Sequence, residues 1–215
     1  MASSCRAVYV VRHAEREDNI NRNWKKLAAV QNLADDNPML SQRGRLQAKE
    51  CAARFKNIEI RNVFASPYDR TMETASIIVA DKGLLVKPEP GLCEVLHHCL
   101  NPPGFWETIK LKQKYPLVDT KYVPVFTKVS PCKNNVTVTY FTVSVTLTSS
   151  FVLGDLLLVS HAPPIGAIHE LWDLRYTCVG QATVSKFIEV EKGKFRLEFS
   201  ADASHLSSQR NLRPF

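Results

Sequence analysis

Two histidines at matching places in the chain carry the strongest chemical signal. Val8-Tyr9-Val10-Val11 is an apolar, β-branched run that stops at Arg12-His13, with Arg16 three residues beyond the histidine. Leu156-Leu157-Leu158-Val159-Ser160 is a second apolar run, and it stops at His161. Each run has the length and composition of a short buried strand. Open α/β sheets bind ligands just past the carboxyl ends of their strands, so both imidazoles belong in one pocket. A neutral imidazole is a competent nucleophile, and guanidiniums grip phosphate oxygens in pairs. His13 between Arg12 and Arg16 is therefore placed to attack a phosphoryl group. The competing reading, a surface Arg-His-Arg cluster without a chemical role, does not account for the second strand ending in histidine.

The elements needed to hold these groups follow in order. Ser41 is an N-cap residue opening a helix that runs through residue 56, with Leu46, Cys51, Ala52 and Phe55 near helical spacing. Asn62 to Ala65 reads as a strand ended by Ser66-Pro67, and Asp69 to Ala80 as a helix with Ala75, Ile77, Ile78 and Val79 as its apolar positions. Arg70 falls in that helix's first turn, where backbone amides also favour an anion, so it can share a phosphate with Arg12. Leu84 to Val86 is a further short strand, and Pro88-Glu89-Pro90-Gly91 a turn. Glu94 follows beside Val95 and Leu96; an apolar setting disfavours a carboxylate, which suits Glu94 to act as a general acid. Phe105 to Tyr115 reads as an amphipathic helix, and Ala162-Pro163-Pro164 opens another through about Asp173. Ala182–Val190 and Phe195–Phe199 flank the hairpin signal Glu191-Lys192-Gly193-Lys194. Residues 17–39 are a polar insert between His13 and the first helix, with Trp24 anchoring it on the core or covering the pocket. Residues 201–215 read as a polar, mobile tail.

These motifs resemble those of the histidine phosphatase (phosphoglycerate mutase-like) superfamily. Arg12-His13-Ala14-Glu15 is similar to its Arg-His-Gly-Glu signature, and Leu40-Ser41-Gln42-Arg43-Gly44 with Gln47-Ala48 to its helix entry. Phe64-Ala65-Ser66-Pro67-Tyr68-Asp69-Arg70 with Thr74-Ala75 resembles the second arginine motif, and Val159-Ser160-His161 the second histidine motif. Arg16, Glu89-Pro90-Gly91 and Glu94 look most like the ecdysteroid-phosphate phosphatases and the phosphatase domains of the suppressor-of-T-cell-receptor-signalling proteins. The resemblance implies a three-layer α/β/α fold with a mostly parallel sheet, residues 1–215 forming one domain. It implies a phosphomonoester hydrolase working through a phosphohistidine on His13. Arg12, Arg16, Arg70 and His161 would surround the phosphoryl oxygens, and Glu94, rather than the turn residue Glu89, would move the proton. It implies no cofactor and no metal. Phosphotransfer of the mutase kind, and a weakly active or inactive phosphate-binding or scaffolding relative, are the alternatives. The substrate would be a small phosphorylated molecule or a phosphotyrosyl protein, and some relatives imply a homodimer. Ala14 replaces the usual glycine, a change that is tolerated unless the position needs a positive φ.

Composition bounds the partners. The 215 residues suffice for one α/β domain, and 45% hydrophobic with 23% charged content is ordinary for a globular protein. The net charge of +7 is dispersed, without an aromatic-interleaved basic patch, so it argues for steering an anionic substrate rather than for nucleic acid. Met1 to Arg6 does not read as a signal peptide, and no apolar run approaches a bilayer span. Six scattered cysteines without a C-x-x-C pair read as reduced thiols, which points to the cytoplasm. His97-His98-Cys99 lacks a complementary ligand cluster and reads as pocket rim. Asn135-Val136-Thr137 reads as a chance sequon. Residues 127–152 depart from the family pattern: they are β-branched, nearly uncharged and alternate with period two. They read as an extra hairpin or edge strand, or as a stretch foreign to the ancestral fold.

Overall fold

The computed structural model describes residues 6–27, 32–126 and 154–214. The expectation for 127–152 lies outside these residues. Six strands form one mixed sheet: β1 (Ala7–Arg12), β2 (Asn62–Ala65), β3 (Val86–Pro88), β4 (Leu156–Ser160), β5 (Val184–Glu191) and β6 (Lys194–Asp202). Their order is β3-β2-β4-β1-β5-β6. β1, β4, β2 and β3 run parallel, and the β5–β6 hairpin adds antiparallel to β1. Among the described residues four α-helices accompany them: α1 (Gln42–Phe55), α2 (Asp69–Ile78), α3 (Thr108–Lys114) and α4 (Ala162–Asp173).

Strand alternation divides the core into two faces. Tyr9, Val11, Val63, Leu157 and Val159 pack against Ala48, Cys51 and Phe55 of α1 and Met72, Ala75 and Ile78 of α2. Val8, Val10, Phe64, Leu156 and Leu158 pack against Ile165 and Ile168 of α4. This is the three-layer α/β/α arrangement. β1 and β4 are neighbours in register, with Arg12 beside Ser160, so the two histidines emerge at the same edge.

Several expected boundaries shift, each for a local reason. β3 begins at Val86, not Leu84, because Val86 pairs with Val63 and Pro88 with Ala65 while Leu85 is exposed. Pro88 is admissible because β3 is an edge strand. α3 begins at Thr108, not Phe105; the preceding chain is held by Asn37 Nδ2, which donates to the Gly104 carbonyl at 3.2 Å. α2 ends at Ile78, two residues early, although Val79 remains buried. Leu46 is exposed: Gly44, Ala48, Cys51 and Phe55 form the inward stripe of α1, and Leu46 lies off it. The described residues 201–214 are anchored to the core at intervals rather than lying free of it. β6 continues to Asp202 and Leu206 is buried in the core.

Candidate active site

The turn after β1 is fixed from three sides. The His13 amide donates to the Ser160 carbonyl at 2.9 Å, joining the two histidine-bearing strand ends. The Ala14 amide donates to Thr74 Oγ1 of α2 at 3.2 Å. The Glu15 amide donates to Gln47 Oε1 of α1 at 2.9 Å, and the Ser41 amide to the Glu15 carbonyl at 2.9 Å. The Glu15 carboxylate accepts from Ser41 Oγ at 2.7 Å and from Arg43 Nη1 at 2.8 Å. Ser41 is the N-cap of α1, its hydroxyl accepting from the Gly44 amide at 2.9 Å. Ala14 does not adopt a positive φ, so the methyl is accommodated.

His13 and His161 pack edge to face with ring centroids 5.2 Å apart, and both are almost wholly buried. His13 Nδ1 lies 2.8 Å from the Ala14 carbonyl, which can only accept. That contact assigns the proton to Nδ1 and leaves the lone pair on Nε2. His161 Nδ1 lies 3.2 Å from Arg70 Nη2, which can only donate, so its proton sits on Nε2, 2.9 Å from Ser66 Oγ. Burial pushes both imidazoles well below the usual histidine range. For His13 the guanidiniums of Arg70, Arg12 and Arg16 add to this, and for His161 chiefly that of Arg70. Both rings are neutral near pH 7, the state a nucleophile needs.

The guanidiniums are held one by one. Arg12 Nη1 donates to the Val179 carbonyl at 2.7 Å and to the Arg213 carbonyl. Burial, with Arg16, Arg70 and Arg213 nearby, brings Arg12 down to about 10, against the pull of Glu94. Arg70 lies over the Tyr68 ring at 4.4 Å, and its Nη1 donates to the Asp36 carbonyl at 3.1 Å. Arg16 Nε and Nη2 make a two-point pair with the Asp18 carboxylate at 2.9 and 2.7 Å. Nε of Arg12 and Nε of Arg70 are buried and have no partner among the described residues. Buried donors of this kind are rare without an acceptor.

Arg12, Arg16, Arg70 and Glu94 line a cavity of about 460 Å³, in the range of small-molecule sites. Glu94 Oε2 is 3.7 Å from His161 Nδ1, and Oε1 accepts from the Val95 amide at 3.1 Å. The six residues singled out from the sequence thus converge. His13 and His161 lie packed against the guanidiniums rather than on the cavity wall. Glu89 is separate from them: fully buried, it accepts from the Gly91 amide, the Tyr122 hydroxyl and the amides of Val125 and Phe126, which makes it a structural hub of its turn. Trp24 anchors the insert, buried with Leu33 against Leu27, Met39 and Trp106. His98 lies on the cavity rim.

Three parts of the site had not been foreseen. Asp36 Oδ2 accepts from the Tyr68 hydroxyl at 2.7 Å and from the amides of Leu100 and Gly104 at 2.9 and 3.1 Å, so the insert carries the platform under Arg70. Asn37 Oδ1 accepts from the Asp69 amide at 2.7 Å, capping the start of α2. The signal for both was Asp35-Asp36-Asn37-Pro38, since short polar side chains before a proline habitually bond to backbone amides. The third, the segment around Arg213, carried no motif.

The family description "Histidine phosphatase superfamily (branch 1)" matches residues 8–117. Phosphoserine phosphatase 1 of Hydrogenobacter thermophilus is 34% identical over 110 residues, 50% of this chain and 46% of that protein. The 2,3-bisphosphoglycerate-dependent phosphoglycerate mutase of Thermoplasma acidophilum is 35% identical over 69 residues, 32% of this chain and 31% of that protein. The chain therefore matches less than half the length of either relative. The ecdysone phosphate phosphatase from Bombix mori, solved with tungstate, superposes with a TM-score of 0.65 at 21% identity over 91% of this chain and 93% of that one. The phosphoglycerate mutase from Bacillus anthracis gives 0.65 at 17% identity, covering 94% and 96%. At these identities the likeness to the solved structures is one of fold. Among the described residues no helix is long and apolar enough to cross a membrane.

Proposed function

We propose that this chain, which belongs to the histidine phosphatase superfamily, hydrolyses phosphomonoesters through a phosphohistidine formed on His13. One observation carries the reading. The neutral His13 imidazole, its Nδ1–H tied to the Ala14 carbonyl, lies within the electrostatic reach of Arg70 and Arg12, and each of these guanidiniums keeps a buried Nε–H with no partner among the described residues. A phosphoryl group supplies that partner and receives the Nε2 lone pair.

In the first step His13 Nε2 bonds to phosphorus as the bond to the ester oxygen breaks. Glu94 gives its proton to the departing oxygen. In the second, water attacks phosphorus, Glu94 takes the proton from that water, and the P–N bond breaks to return His13. Arg12 and Arg70, with Arg16 swinging from Asp18, neutralise the charge that spreads over the equatorial oxygens. The guanidiniums thereby fill the electrostatic role that a divalent ion plays in other phosphoryl-transfer sites, so turnover should need no metal. Phosphoserine and ecdysone phosphate, named for relatives, belong to the substrate class we infer: a phosphomonoester of a small molecule, handled in the cytoplasm.

The test is hydrolysis of an aryl phosphate with chelator present, beside His13→Ala. We expect chelator-resistant turnover that falls about 10³-fold or more in the variant, as removal of a nucleophile does. Rapid quench should trap an acid-labile phosphoenzyme in the parent chain. Turnover largely retained in His13→Ala would overturn the assignment.

A further inference from the structure

Resting on the reading above, we propose that residues 206–214 form a strap that positions Arg12, and that the main-chain carbonyl of Arg213 is the group through which it acts. Arg12 is the one guanidinium of the site whose Nη1 is held by two main-chain carbonyls, those of Val179 and Arg213. Residue 179 lies in the loop before β5, but residue 213 is 201 positions from Arg12 in sequence. The strap reaches there by a series of anchors. Leu206 is buried in the core, and the Ser207 amide donates to Glu50 Oε1 at 3.1 Å. The Arg210 carbonyl accepts from Arg43 Nη2. Leu212 packs against the core, and its carbonyl accepts from the Gln181 amide at 2.7 Å. Arg213 Nη2 then donates to the Asn19 carbonyl at 3.1 Å, and Gln181 Nε2 to Asn19 Oδ1 at 2.7 Å.

The backbone conformation at the end of the strap supports a dedicated role. Asn211 has φ +55° and Arg213 φ +49°. Asparagine tolerates the left-handed region, whereas arginine there is strained and must be held by its surroundings. Arg213 is exposed and lines both the 460 Å³ cavity and a second cavity of about 1100 Å³. Its hydrogen bonds to Asn19 and Arg12, with the neighbouring Leu212 carbonyl held by the Gln181 amide, fix it in place. The benefit falls on Arg12: with Nη1 occupied, the rest of the guanidinium, including the unpartnered Nε, keeps one orientation toward an incoming phosphoryl group.

Two variants that both remove the Arg213 side chain from the cavity, but differ in the backbone they allow, isolate the strap from that side chain. Proline cannot adopt a positive φ, so Arg213→Pro turns the carbonyl away from Arg12. Arg213→Gly loses the side chain but adopts the left-handed region readily. Each chain is measured by calorimetric binding of inorganic phosphate and by kcat and KM on an aryl phosphate. We expect Arg213→Pro to weaken phosphate binding about tenfold, the loss of well-oriented charge-assisted bonds. We expect kcat/KM to fall roughly 10- to 100-fold. Arg213→Gly should recover most of both losses, and Arg213→Pro should cost nothing further on an Arg12→Lys background. Leu212→Ala, which loosens the anchor without changing residue 213, should shift both quantities the same way by a smaller factor and decides the matter if the proline chain does not fold. Unchanged phosphate affinity in folded Arg213→Pro, an equal loss in Arg213→Gly, or additivity with Arg12→Lys would overturn the proposal. Phosphate binding is read independently of turnover, so a chain that binds phosphate and hydrolyses nothing would defeat the phosphatase reading and leave the strap intact.

Discussion

Replacing Glu15 measures how much of this protein's stability is invested in the turn that carries His13. Its carboxylate is nearly inaccessible, with 5% of the side chain exposed, and it accepts from Ser41 Oγ at 2.7 Å and Arg43 Nη1 at 2.8 Å. A buried hydrogen bond to a charged group contributes about 1.5–3 kcal/mol. Arg43 is 30% exposed on its side chain, so its share is screened and adds about 0.5–1 kcal/mol. Glu15→Ala should therefore cost about 2–4 kcal/mol. Glu15→Gln keeps an acceptor for Ser41 but removes the charge and should cost about half of that. Urea titration at neutral pH is the primary assay, with midpoints falling and the m-value constant. At 2–4 °C per kcal/mol for a chain of this size, the melting temperature of Glu15→Ala should fall by roughly 10 °C. A loss below about 1 kcal/mol in Glu15→Ala, or equal losses in the two variants, would refute the premise that this carboxylate fastens α1 to the turn that carries His13.

Gly44→Ala attacks the same junction from the helix side: an added Cβ would lie 2.1 Å from the Glu15 carbonyl oxygen, which is backbone and cannot swing aside. We expect that chain to lose at least as much stability as Glu15→Ala, by the same titration. Ser66→Ala removes the acceptor from His161 Nε2 and frees the ring; kcat on an aryl phosphate should fall about tenfold, as for a mispositioned catalytic group, with the melting temperature moving little. Burial brings His169 down from 6.5 to about 4, so the unfolded chain binds a proton there that the folded chain does not. Its contribution is fully present above pH 6.5 and is lost as pH falls toward 4. His13 and His161 shift in the same direction. Unfolding free energy should therefore decline on acidification by about 1.4 kcal/mol per pH unit for each such imidazole, and urea midpoints between pH 7 and 4 check it.

The histidines were legible because one physical pattern announces each of them: an apolar run long enough for a buried strand, broken by a polar residue that a strand interior would not accept. Arg70 was legible for a related reason, since the first turn of a helix after a strand is where anions bind. The strand boundary at Val86 was not, because register is set by pairing: Leu84 and Leu85 are as apolar as Val86, and the partner residues Val63 and Ala65 select where the ladder starts. The same limit applies more strongly to the site. Asp36 supports Arg70 through a tyrosine 32 positions away, and Arg213 holds Arg12 through a carbonyl that every residue type possesses. A side chain that reacts must be a particular residue, so it leaves a mark in the sequence. A carbonyl that aims it need only be in the right place, and its mark is in the fold. The one trace of the strap within the sequence's reach is its anchor: Leu206 and Leu212 are large apolar residues in an otherwise polar stretch, and apolar residues six apart in such a setting indicate chain laid on a surface rather than chain in water.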